Sequence, residues 1–203
     1  MVFETAELRN RVAEEFGAVE GLEQTLNHLG EHVAKIAAEH ADDFVISREF
    51  DAPRDLVFKA WTEPKRLAQW WGPKGFKLKV ANVDLRPGGM FLYGMTAPDG
   101  NEMWGKFIYR EITPPERMVF IVSFSDENGG TTRHPMSPTW PLQMLNVVTL
   151  TDHGEKTTLT LRSSAYEATQ EERDTFRAGR SSMQGGFTGT FDQLTAYLAK
   201  ETS

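Results

Sequence analysis

Between Phe76 and Arg162 the chain is written in strands and turns, and one amphipathic helix follows. That order narrows the fold more than any other feature. Phe76, Leu78 and Val80 alternate with Lys77 and Lys79, and Arg86-Pro87-Gly88-Gly89 turns the chain. Met90 to Thr96 and Met103 to Ile112 flank Pro98-Asp99-Gly100, a hairpin signal. Pro114-Pro115-Glu116-Arg117 leads into Met118, Phe120, Val122 and Phe124, which alternate with Val119, Ile121, Ser123 and Ser125. A loop spans about Ser125 to Pro141. Two Thr-rich strands, Leu142 to Thr151 and Thr157 to Arg162, then meet at Asp152-His153-Gly154. Six or seven antiparallel strands in one meander make a sheet with an apolar face that must be covered. The segment Glu171 to Lys200 returns to helix, with a Gly-rich interruption expected at Gly185-Gly186. Its Met183, Phe187, Phe191, Leu194 and Leu198 supply the cover.

Ahead of the meander, Phe44 to Phe50 is β-branched and aromatic and reads as a strand. Asp51-Ala52-Pro53 turns into a helix carrying Leu56, Val57, Phe58, Ala60 and Trp61. Pro64 suits the first turn of a second short helix that runs to Trp71, where Gly72-Pro73 ends it. The class is therefore α+β, in the order β–α–α–meander–α.

Composition removes several alternatives. The chain has 203 residues and no cysteine, so disulfides, thiolate metal sites and cysteine nucleophiles are out. This agrees with a cytoplasmic location. No apolar run is long enough to span a membrane, and the N-terminus lacks the pattern of a secretory signal. The net charge of −7 argues against a nucleic-acid partner. No phosphate loop or nucleophile elbow is present, and no cofactor is implied. His28 and His32 have ligand spacing on one helix face but no third ligand, so no metal site is expected.

The charge is uneven. Residues 1–42 hold nine acidic and three basic side chains, against 20 and 19 in the remainder. The expected organisation is an acidic helical extension, residues 1–41, ahead of a domain over residues 42–203. The extension reads as helix over 4–40, with a break near Gly17 to Gly21 and an apolar stripe of Leu22, Leu26, Leu29, Val33 and Ile36. It also repeats the C-terminal segment. Thr5, Glu7 and Arg9 match Thr169, Glu171 and Arg173. After one skipped residue, Gly21, Thr25, Leu29, Ala34 and Lys35 match Gly186, Thr190, Leu194, Ala199 and Lys200. Leu22, Leu26 and Val33 face Phe187, Phe191 and Leu198. With the sheet already covered by its own helix, the stripe is expected to dock elsewhere, and a homodimer through this helix is the preferred expectation.

Ala52-Pro53-Arg54-Asp55-Leu56-Val57-Phe58-Lys59-Ala60-Trp61-Thr62, followed by Trp70-Trp71-Gly72-Pro73, resembles the opening of the activator-of-heat-shock-ATPase-like family of the START-like (SRPBCC) superfamily. Arg86-Pro87-Gly88-Gly89, Gly105 with Glu111-Ile112, Pro114-Pro115-Glu116-Arg117 and the Thr strands ending at Arg162 continue the likeness in order, from about Asp43 to Lys200. The resemblance implies a helix-grip fold. In it a curved antiparallel sheet wraps a long C-terminal helix, two short helices close one end, and a cavity lies between sheet and helix. It implies apolar ligand binding, cyclisation of aromatic polyketides in relatives, and stimulation of a chaperone ATPase in others. It implies no shared catalytic residue.

The aromatic content is generous, 22 residues. Trp61, Trp70, Trp71, Phe91, Tyr93, Trp104, Phe107, Tyr109, Phe120, Phe124, Trp140 and Phe187 are candidates to line such a cavity, with Met183 beside them. Adaptable methionines, Met90, Met95, Met103 and Met144, fit the same picture. Trp70 and Trp71 are adjacent and cannot face one way, so one is expected inward and one at the rim. On a regular strand Phe107, Tyr109 and Glu111 share a face. If Phe107 faces the cavity, Tyr109 and Glu111 are placed to hydrogen-bond a ligand or to do acid–base work. The competing reading leaves Glu111 solvated or paired with an arginine. Three functions stay open: a binder of a small apolar, aromatic or acyl ligand; a cyclase- or hydrolase-type enzyme using the same cavity; and a chaperone-interacting protein.

Overall fold

The computed structural model describes residues 5–7 and 18–202. They fall into two compact units, one within 1–42 and the other 43–203. In the first unit a 22-residue helix, α1 (Ala18–Glu39), runs through Gly21 and Gly30 without a break. The expected helix over residues 8–17 lies outside the described residues. Leu22, Leu26, Leu29 and Val33 are each more than half exposed along α1.

The second unit has the expected α+β, helix-grip class. Its elements are β1 (Phe44–Phe50), α2 (Arg54–Thr62), α3 (Pro64–Trp70), β2 (Lys77–Val83), β3 (Met90–Thr96), β4 (Glu102–Thr113), β5 (Arg117–Ser125), β6 (Thr131–Thr132), β7 (Gln143–Asp152), β8 (Thr157–Tyr166), α4 (Gln170–Ala178) and α5 (Arg180–Glu201). The sheet runs β1-β8-β7-β5-β4-β3-β2, antiparallel throughout, and the two-residue β6 pairs with β5 inside the segment read as a loop. Among the described residues no helix is long and apolar enough to cross a membrane.

Period-two patterning sets which side chains face α5. In β1, Phe44, Ile46 and Phe50 are buried while Val45, Ser47 and Glu49 are exposed. In β5, Met118 and Phe120 are buried against the core that α5 completes. The buried face of α5 is Thr190, Phe191, Leu194, Tyr197 and Leu198. Phe187 stacks on Phe44 with ring centroids 5.7 Å apart, and Phe191 meets Phe50 edge-on at 6.0 Å. Burying such side chains contributes roughly 1.5–3 kcal/mol each, so this seam is a main source of stability.

The C-terminal helical segment is interrupted, but at Gly179 between α4 and α5 rather than at Gly185-Gly186. Packing sets these glycines apart. A Cβ on Gly179 would lie 2.5 Å from the Trp140 ring, so a side chain there collides, whereas Cβ atoms on Gly185 or Gly186 would meet nothing within 4 Å. Glycine inside a helix costs about 1 kcal/mol relative to alanine, and the packed face of α5 offsets that. The start of α4 is held by a reciprocal cap: Thr169 Oγ1 accepts from Glu172 N at 3.3 Å, and Glu172 Oε2 accepts from Thr169 N at 2.9 Å.

Candidate functional site

Where α5 passes over the curled sheet it leaves a cavity of about 230 Å³. Its walls come from four places. Trp61 on α2 and Trp71 after α3 close one end. Tyr93 and Met95 on β3 and Phe107 on β4 form one side. Phe120 and Val122 on β5, Met144 and Asn146 on β7, and Leu161 and Ser163 on β8 form the floor. Met183, Gly186, Phe187 and Thr190 on α5 form the roof, with Gly72 and Pro73 beside them. Pro73 and Gly186 are exposed, so the cavity reaches the surface between the Gly72-Pro73 turn and α5.

The turn is built for that place. Gly72 has φ +118, a left-handed value that suits glycine, and a Cβ there would stand 2.9 Å from Met95 Sδ. Its carbonyl accepts from Thr190 Oγ1 at 3.2 Å and from Gln193 Nε2, which ties the turn to α5. The neighbouring tryptophans divide the work. Trp70 is buried, and its Nε1 donates to the Ala60 carbonyl at 2.9 Å. Trp71 is half-buried and meets Tyr93 and Phe107 edge-on, with centroids 5.9 and 5.2 Å away.

Of the side chains singled out in the sequence, Trp61, Trp71, Tyr93, Phe107, Phe120, Met183 and Phe187 line this cavity. Phe91 and Trp70 are buried in the surrounding core and do not line it. Trp104 and Phe124 line a second pocket of about 170 Å³ that shares Pro73, Tyr93, Met95, Val122 and Met144 with this one. Trp140 packs on Phe176 instead, with centroids 5.7 Å apart. Tyr109 is buried without lining the cavity, and its hydroxyl has no hydrogen-bond partner among the described residues.

Glu111 stands apart for a definite reason. A bulge between Tyr109 and Glu111 breaks the period of two, so Tyr109 pairs with Phe120 but Glu111 with Val119 and Ile112 with Met118. Ile112 therefore takes the inward place, packed against the core. Glu111 is exposed and accepts from Arg117 Nε at 3.1 Å and Thr113 Oγ1 at 3.2 Å. The Tyr109–Glu111 pair expected at the cavity is not formed.

The polar members of the lining, Asn146, Ser163 and Thr190, were not singled out from the sequence. They sit within strands or a helix rich in Thr and Ser, and only the sheet register distinguishes them. One inward row crosses five strands: Tyr109 on β4, Phe120 on β5, Asn146 on β7, Ser163 on β8 and Phe44 on β1. Asn146 Oδ1 and Trp61 Nε1 are buried and have no hydrogen-bond partner among the described residues. Thr190 Oγ1 is occupied by the Gly72 and Gly186 carbonyls. The one ionisable side chain of the lining is Tyr93. Burial pushes its phenol well above the ordinary value, so it is neutral at physiological pH.

The sequence model of the family described as Activator of Hsp90 ATPase homolog 1-like protein matches residues 51–199. The chain belongs to that family. The matched stretch contains α2, the meander and nearly all of α5, and hence every wall of the cavity. Similar solved structures agree. A Mycobacterium smegmatis protein is 28% identical with a TM-score of 0.62, over 77% of this chain and 90% of that one. An Arthrobacter aurescens protein is 28% identical with a TM-score of 0.63, over 78% and 86%. A Nitrosomonas europaea protein is 26% identical with a TM-score of 0.61, over 79% and 96%. No curated protein matches the chain.

Proposed function

We propose that this family member binds a small apolar ligand in the cavity between the sheet and α5. One observation carries the reading: a cavity of about 230 Å³, walled by aromatic and aliphatic side chains, reaches the surface at Pro73 and Gly186. Its volume falls below the roughly 300–1,000 Å³ of drug-sized sites, which suits a ligand of one or two rings or a short acyl chain. The enzyme alternative needs convergent ionisable groups, and a single neutral phenol does not supply a general acid–base pair. The ATPase activator in the family's description is a property of its namesake, and the cavity does not depend on it. The absence of cysteine fits a cytoplasmic protein.

The test is a titration with naphthalene and with 1-octanol, read by the fluorescence of Trp61 and Trp71. Saturable binding of at least one is expected. Gly186→Leu should weaken it about tenfold or more by filling the entrance. Because a Cβ at Gly186 meets nothing within 4 Å, the same change should leave the fold intact and raise stability by up to about 1 kcal/mol through helix propensity. No saturable binding, or binding untouched by Gly186→Leu, would overturn the reading.

We further propose that α1 pairs with α1 of a second copy. Leu22, Leu26, Leu29 and Val33 follow the alternating four- and three-residue spacing of a coiled-coil seam and are exposed. They also match Phe187, Phe191, Leu194 and Leu198, a face of α5 whose last three members are fully buried. The likeness extends to detail. Thr25 Oγ1 donates to the Gly21 carbonyl at 2.8 Å, as Thr190 Oγ1 donates to Gly186 at 3.0 Å.

A further inference from the structure

Resting on the cavity reading above, we infer that the ligand is an uncharged, ring-sized molecule carrying a hydroxyl, and that Asn146 recognises that hydroxyl. The observation is a polar residue in an apolar place. Asn146 is only 5% exposed, and its neighbours across the inward row are Phe120 and Ser163. Two residues along β7, Val148 is fully buried in the core. An inward amide here costs stability unless something completes its hydrogen bonds. Among the described residues nothing does: Oδ1 is buried and has no partner. Thr190, the other polar side chain on the opposite wall, already gives its one hydroxyl proton to backbone carbonyls. A second open group, the indole N–H of Trp61, belongs to a residue on the same lining and is a donor.

Trp71 Nε1, on the same lining, is a third such group, so the open groups are one acceptor and two indole donors. Asn146 Oδ1 needs a donor and Trp61 Nε1 needs an acceptor. A hydroxyl is both. It also suits Asn146 in either orientation of the amide, since it can give a proton to Oδ1 or accept one from Nδ2. A carboxylate suits neither the site nor its walls. The lining holds no lysine, arginine or histidine, and an ionised group buried without a partner is far costlier than a neutral one. The ligand class thus narrows from aromatic or acyl to a neutral alcohol or phenol with an apolar body.

Three probes of one shape separate the possibilities: naphthalene, 2-naphthol and 2-naphthoate, titrated against the full chain by calorimetry at neutral pH. The expected order is 2-naphthol tightest, naphthalene about tenfold weaker, and 2-naphthoate weaker again. Asn146→Leu should remove the preference for 2-naphthol while keeping or improving naphthalene binding. Equal affinity of the unmodified protein for naphthalene and 2-naphthol overturns the hydroxyl subsite and leaves the cavity reading standing. Tight binding of 2-naphthoate overturns the claim of a neutral ligand. If none of the three binds, the cavity reading fails with it. The comparison among probes needs no variant, so it holds whether or not Asn146→Leu folds.

Discussion

Glu172 shows how one side chain joins two segments. Its Oε2 closes the cap at the start of α4, and its Oε1 accepts from Arg133 in the loop before β7. Arg133 foremost, then the Thr169 backbone, holds its carboxyl below the ordinary value of 4.5. A carboxyl whose native pKa is depressed adds stability at neutral pH and loses it as pH falls from the ordinary range through the native value. Glu172→Gln should cost about 1.5–3 kcal/mol at neutral pH, the range for hydrogen bonds to charged groups. It should also flatten the acid side of the stability profile. Denaturant unfolding from neutral pH into the carboxylate range measures both, and an unchanged acid side would contradict the assignment. The capping residues Thr169 and Glu172 are legible as a local motif. The partner Arg133, 39 positions away, is not.

At the scale of elements, the cavity wall depends on glycines paired with aromatics. Tyr93 on β3 lies opposite Gly105 on β4, and Gly94 lies opposite Trp104. A Cβ on Gly105 would come within 2.5 Å of the Tyr93 hydroxyl, so the ring lies across the glycine. Gly105→Ala should displace Tyr93, destabilise by about 1–3 kcal/mol through overpacking, and weaken naphthalene binding. Gly189→Ala on α5, where nothing lies within 4 Å, is the control and should be neutral or stabilising. Thermal unfolding and titration of both variants check this. The strands themselves were legible from alternation, as in Met118, Phe120 and Val122. The bulge after Tyr109 was not, because nothing in Tyr109-Arg110-Glu111 announces an extra residue. That bulge alone exchanges Glu111 for Ile112 on the inward face.

For the whole molecule, the core of the second unit runs from Phe44 to Leu198. The proposed pairing of α1 belongs to the first unit. Leu26→Glu with Leu29→Glu should convert a dimer to a monomer in light scattering, without changing the thermal transition of the 43–203 unit or its affinity for naphthalene. A full-length protein that already runs as a monomer at micromolar concentration would end the dimer proposal.

Local patterning was enough for the α+β class, the order of elements, the cover by the C-terminal helix, the apolar stripe of α1 and its likeness to α5. Each of these depends on periodicity, turn chemistry or the matching of one segment to another, all properties of neighbouring residues. Which aromatics face a cavity, that Asn146 and Ser163 share its floor, and that Glu111 does not reach it were decided only in three dimensions. Those facts depend on register between strands far apart in the chain and on the curl that opens space beneath α5. No stretch of sequence carries register by itself, because it is set jointly by both partners and by the bulges between them.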